Sequence, residues 1–280
     1  MQQQIHINHT SFGQLSDLAD SLVIEVSSSL LSFSELQSAE NKPLFICHYP
    51  LDNTINYSLS EHLISAVKHF QFSRKKYEHV YINYFTHQFT LCPTAFYNNE
   101  HNRAMLEFNN GSISNQLIFT DDINADIKLI YAVDEALKST LDQLFPHHQL
   151  KHSLTVLSKL TLLSEELSKE QIVLAVSANH IEVVVKQDHN LLLANQFSTK
   201  TQEDVLYYAL FIIEQYQLNP LTANITITGN VDSNSEMILS LKKYIKNVHL
   251  ASGNKSINWS NLTGAPQHFN YTLINRLFCE

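Results

Sequence analysis

Glycine is scarce in this chain, with 5 among 280 residues. Loops that cradle phosphates use glycine repeatedly, because a missing Cβ lets backbone amides come close to the anion. A site made of several such turns therefore has little to draw on here. Cysteine is rarer still. Cys47, Cys92 and Cys279 are odd in number and lack paired spacing, which argues against a disulfide framework and suits a reducing cytoplasm. Positive charge is short as well: Lys+Arg of 18 against Asp+Glu of 27 gives a formal net charge of −9. That field has the wrong sign for nucleic-acid phosphates, so no nucleic-acid partner is expected. The one short basic cluster, Arg74-Lys75-Lys76, reads as a solvated helix end that complements the macrodipole. No apolar run is long enough to cross a bilayer; the best, 206–213, falls far short, so no membrane insertion is expected. Residues 1–20 show no basic region followed by an apolar core, so no export signal is expected either.

Hydrophobic residues at 44% and charged residues at 16% describe an ordinary globular protein with length for real cores. Its main feature is repetition. Residues 22–36 (LVIEVSSSLLSFSEL) and 172–186 (IVLAVSANHIEVVVK) align without a gap, placing Val23 on Val173, Val26 on Val176 and Ser27 on Ser177. Each reads as a hairpin. After the first come an extended segment at 44–48, a helix over 58–70 and a strand at 79–85. After the second come 191–196, a helix over 201–216 and a strand at 224–228. The two helices share one entry device: Ser58 with Glu61 and Thr201 with Asp204 fit the capping box. Val205, Tyr208, Ala209, Ile212, Ile213 and Tyr216 fall at helical spacing, as do Leu63, Ala66, Val67 and Phe70. Asn219-Pro220 stops the second helix.

Between the repeats, 86–96 runs to a turn at Cys92-Pro93, followed by a helix near 99–108, strands at 114–120 and 127–131, and helices at 134–144 and 154–166. After the second repeat, 235–244 reads as a helix and 247–251 as a strand, before a polar stretch at 252–268. The expected organisation is a 1–21 extension, a first lobe at 22–153, a connecting helix at 154–170 and a second lobe at 171–280.

The duplicated β-β-β-α-β unit resembles the ribonuclease H-like, actin-like ATPase superfamily of sugar kinases, chaperone ATPases and the actin-like protein of pilus assembly. The opening hairpin, the FTLCPTAFY turn at 89–97 and the ITGNVDSNSEM segment at 227–237 further resemble a bacterial group found mainly in Bacteroidetes, domain-of-unknown-function family 3822. The resemblance implies an α/β fold with mixed sheets, in which two tandem ribonuclease H-like lobes face a cleft.

It also implies phosphate turns, and these are degenerate. The superfamily carries Asp-x-Gly-Ser/Thr on its first hairpin; here Glu25-Val26-Ser27-Ser28-Ser29 has a longer carboxylate and no glycine. The second turn, Ala175-Val176-Ser177-Ala178-Asn179, has neither. Of the paired glycines that contact adenosine in the superfamily, Thr228-Gly229-Asn230-Val231-Asp232 keeps one. Ribonuclease-type chemistry needs several carboxylates on paired metals, and Glu25 alone does not supply them. His147, His148 and His152 place imidazoles at helical spacing but read as a surface cluster at a helix start. Ser27, Ser28 and Ser29 lack a strained nucleophile turn and read as turn residues. Trp259 reads as an aromatic tucked under a loop.

The resulting expectation is a catalytically silent actin-like protein of the bacterial cytoplasm, without a resident cofactor or metal, that binds protein partners. Residues expected to contact any ligand in the cleft are Ser27, Ser28, Asn179, Gly229 and Asn230. The alternative is a regulator that binds ATP weakly without hydrolysis, with Glu25 or Asp232 organising the metal.

Overall fold

The computed structural model describes residues 11–51, 57–164, 170–262 and 264–279. They form two compact units, one of residues up to 156 together with 255–264, the other of 157–254 together with 265–279.

The first unit opens with β1 (Ser11–Gly13), β2 (Ser21–Val26), β3 (Leu30–Gln37) and β4 (Lys42–Pro50). Helix α1 (Leu59–His69) leads into β5 (His79–Tyr84). Next come β6 (Phe89–Pro93), α2 (Asn102–Asn110), β7 (Gln116–Asp122) and β8 (Ile127–Asp134), then α3 (Glu135–Leu144) and β9 (His148–His152). The main sheet has the order β1-β4-β3-β2-β5-β9, and β6-β8-β7 form a separate three-stranded sheet beside α2. Helix α4 (Ser153–Leu163) carries the boundary between the units.

The second unit contains β10 (Glu170–Val176), β11 (His180–Gln187), β12 (Asn190–Ser198), α5 (Gln202–Gln215), β13 (Asn224–Gly229), α6 (Glu236–Tyr244), β14 (Asn247–Leu250) and α7 (Tyr271–Asn275). Its sheet has the order β12-β11-β10-β13-β14. With β1 set aside, this is the first unit's order strand for strand. In both, the hairpin strands are antiparallel and the last two pairings parallel.

The duplication extends to an irregularity. The ladder between β3 and β4 shifts register between Glu35 and Leu36, and that between β11 and β12 shifts between Val185 and Lys186. The gapless alignment places Glu35 on Val185. The repeat also runs one helix and one strand further than expected, since α3 and β9 occupy the places that α6 and β14 occupy in the second unit. The β6-β8-β7 sheet is the addition that only the first repeat carries.

Burial explains why these segments are strands and helices. Ile172, Leu174, Val183, Val185, Ile225 and Ile227 are buried against Val205, Ala209 and Ile212 of α5, so the inner face of the sheet closes on one stripe of the helix. Both capping boxes form: the Ser58 and Thr201 hydroxyls accept from the amides of Glu61 and Asp204, whose carboxylates accept in return.

One expectation is refined and one corrected. Arg74 ends a short helical turn and is exposed, as is Lys76, but Arg74 and Lys75 also make specific bonds. Arg74 Nη2 donates to Glu35 Oε1 at 2.5 Å, and Glu35 is fully buried. Lys75 Nζ donates to the carbonyls of Ser16 and Ala19. A carboxylate buried in the hairpin requires a cationic partner, and the chain after α1 supplies it. His148 and His152 do not form a surface cluster at a helix start. They lie on a strand, and His152 is fully buried.

Candidate functional site

The first hairpin turn is closed by its own serine. Ser27 N–H donates to Leu30 O at 3.1 Å, and Ser27 Oγ donates to the same oxygen at 2.8 Å. The hydroxyl also accepts from the amides of Leu30 at 3.1 Å and Ser29 at 3.4 Å. Ser28 is exposed at the tip. Glu25, at the end of β2, lies opposite Asn83 on β5 and accepts from its Nδ2 at 3.3 Å.

The other three expected residues belong to the second unit. At the β10–β11 turn, Ser177 N–H donates to His180 O at 2.9 Å, while the exposed Asn179 places Oδ1 at 2.9 Å from His180 Nδ1 and accepts from Thr199 N–H at 2.9 Å. Gly229 ends β13 at φ +93°, and a Cβ there would stand 2.1 Å from Val176 O. Its amide donates to His268 O at 3.0 Å, and the Asn230 amide donates to Val176 O at 3.1 Å. This glycine is required by the crossing of two backbones.

His268 locks the turn. Its carbonyl accepts from Gly229 N–H and the Thr228 hydroxyl, and its Nε2 lies 2.8 Å from Val231 O. Nothing in the sequence marked His268, because the contact joins positions about forty residues apart and involves mainly backbone.

Beside these residues the second unit contains a pocket of about 50 Å³, lined in part by Ser177, Thr199, Gln202, Asn230, Asp232 and Ser235. The amino ends of α5 and α6 both reach it, since Gln202 opens α5 and Ser235 caps α6. The buried Asn230 Oδ1 and Gln202 Oε1 have no hydrogen-bond partner among the described residues. Of the five expected residues, Asn230 alone lines the pocket. The volume suits a few water-sized polar groups, whereas pockets for drug-sized ligands run to roughly 300–1,000 Å³. No lysine or arginine is in its wall, and the free oxygens accept hydrogen bonds, so it favours donors over phosphate. Among the described residues no three His, Cys, Asp or Glu side chains are grouped to hold a metal ion.

The fold is that of the actin-like ATPases, here with glycine-free, self-bonded hairpin turns. A Bacteroides thetaiotaomicron protein of unknown function with an actin-like ATPase fold matches at a TM-score of 0.79 and 20% identity, over 95% of this chain and 100% of that one. The PilM–PilN type IV pilus biogenesis complex matches at a TM-score of 0.61 and 12% identity, over 92% of this chain and 98% of that one. The ethanolamine utilization protein EutJ from Carboxydothermus hydrogenoformans matches at 0.54 and 8%, over 96% and 92%. No curated protein matches the sequence. The chain belongs to the family described as "Protein of unknown function (DUF3822)", whose model matches residues 10–248.

Proposed function

We propose that this protein is a non-catalytic member of the actin-like fold that acts by binding other proteins. The observation that carries this reading is the first hairpin turn. There the Ser27 hydroxyl takes up the amides of Ser29 and Leu30, the groups a phosphate-binding turn would leave pointing at the anion. Gly229 supports it, because the one glycine retained of the adenosine motif is engaged with Val176 and His268. If a small ligand binds, Ser27, Ser28, Asn179, Gly229 and Asn230 are the contacts we propose for it. That the similar PilM structure is a complex with PilN supports partners that are proteins. We place the protein in the bacterial cytoplasm. In support, Cys47, Cys92 and Cys279 are free and buried, and among the described residues no helix is long and apolar enough to cross a membrane. We also propose that residues 22–153 and 171–280 act as its two lobes, with 154–170 joining them and with 255–264 of the second span packing back on the first unit.

The test is a thermal-shift titration with ATP, ADP and GTP in the presence of magnesium. A ligand that binds only the native state adds about 2.7 kcal/mol of stability at a hundred times its Kd. The expected result is an unchanged melting temperature at millimolar nucleotide. A saturable rise of several degrees would overturn the reading in favour of a nucleotide-binding regulator, with Glu25 or Asp232 organising the metal.

A further inference from the structure

We propose that the outer face of α5 and α6 is the interface of a homodimer, in which a two-fold axis lays α5 of one copy on α6 of the other. This goes beyond the binding-protein reading and does not depend on it.

Each of the two helices joins parallel strands of one sheet, by crossovers that advance in the same direction, and the helices pack against each other. They therefore lie side by side and parallel on one face of that sheet. Their buried stripes, Val205, Ala209 and Ile212 on α5 and Met237, Ile238 and Leu241 on α6, belong to the core of the second unit. The opposite stripes are far from polar. Tyr207 and Phe211 are 61% and 43% exposed and stack with centroids 6.1 Å apart, and Leu239 is 54% exposed.

The duplication supplies the control. The capping boxes align α1 with α5, which sets Ile64 and Lys68 where Tyr207 and Phe211 stand. Helices α3 and α6 end on the same bond, from the Phe145 amide to Leu141 O and from the Ile245 amide to Leu241 O. Ser139, Asp142 and Gln143 thus stand where the second unit has Leu239, Lys242 and Lys243. In the first unit Asp142 is paired within α3 to Lys138. Among the described residues Glu203, Glu214, Lys242 and Lys243 belong to no ion pair. Exposed rings and an exposed leucine rimmed by such charges mark an interaction surface.

Charge selects a second copy as the occupant. Glu203, Tyr207, Phe211 and Glu214 form one exposed stripe at helical spacing, and α5 has no lysine or arginine. On α6, Lys242 and Lys243 lie one turn beyond Leu239, and the exposed Lys246 follows. The face therefore carries both halves of its own complement, as an isologous interface requires. Gln202 and Ser235 line one pocket, so the two helices start level. At a rise of about 1.5 Å per residue, Lys243 is then level with the gap between Tyr207 and Phe211. A two-fold axis parallel to the helices keeps that level. It sets Leu239 on Tyr207, the ammonium groups of Lys242 and Lys243 over the two rings, and Glu214 within a lysine's reach beyond them. Glu203 and Glu236, of like charge, fall at the amino ends, which diverge because packed helices cross at an angle.

The experiment is sedimentation of the full-length protein at micromolar concentration, with circular dichroism to show that each variant keeps its fold. The wild type should sediment as a dimer. Tyr207→Ser with Phe211→Ser should weaken the dimer at least tenfold, and so should Lys242→Glu with Lys243→Glu, or Glu214→Lys by itself. An equimolar mixture of the last two variants should associate again, because one of its two contacts is then native and the other pairs glutamate with lysine. Ile64→Ser on α1 should change nothing. A wild type that stays monomeric would overturn the proposal. So would a dimer that ignores the ring substitutions, and so would charge variants whose mixture is no more associated than either alone.

Discussion

His152 shows how one side chain ties local structure to conditions outside the molecule. Its Nδ1 accepts from Leu154 N–H at 3.0 Å at the start of α4, which leaves the proton on Nε2, 3.0 Å from Thr86 O. Tyr131 and Phe89 pack against the ring. Burial holds the pKa down to about 4, below the ordinary 6.5, and the nearby His87 adds to the effect. The unfolded chain therefore binds this proton first as pH falls. The contribution is complete above about pH 6.5 and is lost as pH drops toward 4, a change of about 3 kcal/mol. Denaturant titrations at pH 7 and 4.5 should show that loss, and His152→Gln should flatten it. This residue was misread from the sequence: spacing alone placed the three histidines on a helix surface, and the parallel pairing of β9 with β5 is a tertiary fact that HQLKH does not announce.

At the scale of the element, the local code is clearest where a side chain answers a backbone need within four residues. Both capping boxes were readable because each hydroxyl and carboxylate pair serves its own helix start. Ser58→Ala and Thr201→Ala should each lower stability by about 1 kcal/mol, read from urea midpoints, while a double variant should lose the sum because the two sites are independent. The hairpins were equally readable, since gapless repetition of an apolar pattern leaves one register. The turn serines were read as turn formers, and the Ser27 hydroxyl does close its turn. The rest of the site was not readable. The clamp of His268 on Gly229 joins a polar stretch without periodicity to a strand end, and the pairing of the exposed Arg74 with the buried Glu35 joins positions far apart in the chain.

For the whole molecule, the first unit is discontinuous in sequence. Residues 255–264 belong with it: Asn258 N–H donates to Asn41 O at 3.1 Å, Leu262 lies beside Gly13, and the turn Trp259–Asn261 packs on β4. A chain ending at residue 156 lacks this cover over β1 and β4. It should unfold at a lower urea concentration than the same chain supplied with a peptide of residues 255–264, and circular dichroism would follow the difference.

Because that covering segment follows residues 157–254 of the other unit in the chain, the ribosome must make the second unit's whole sheet before the first unit has all its described parts. The chain passes from one unit to the other at 156–157, 254–255 and 264–265. Vectorial folding of one domain after another, the usual protection of a nascent chain, is thus closed to this protein, and during synthesis the face of β4 waits uncovered for its last strap.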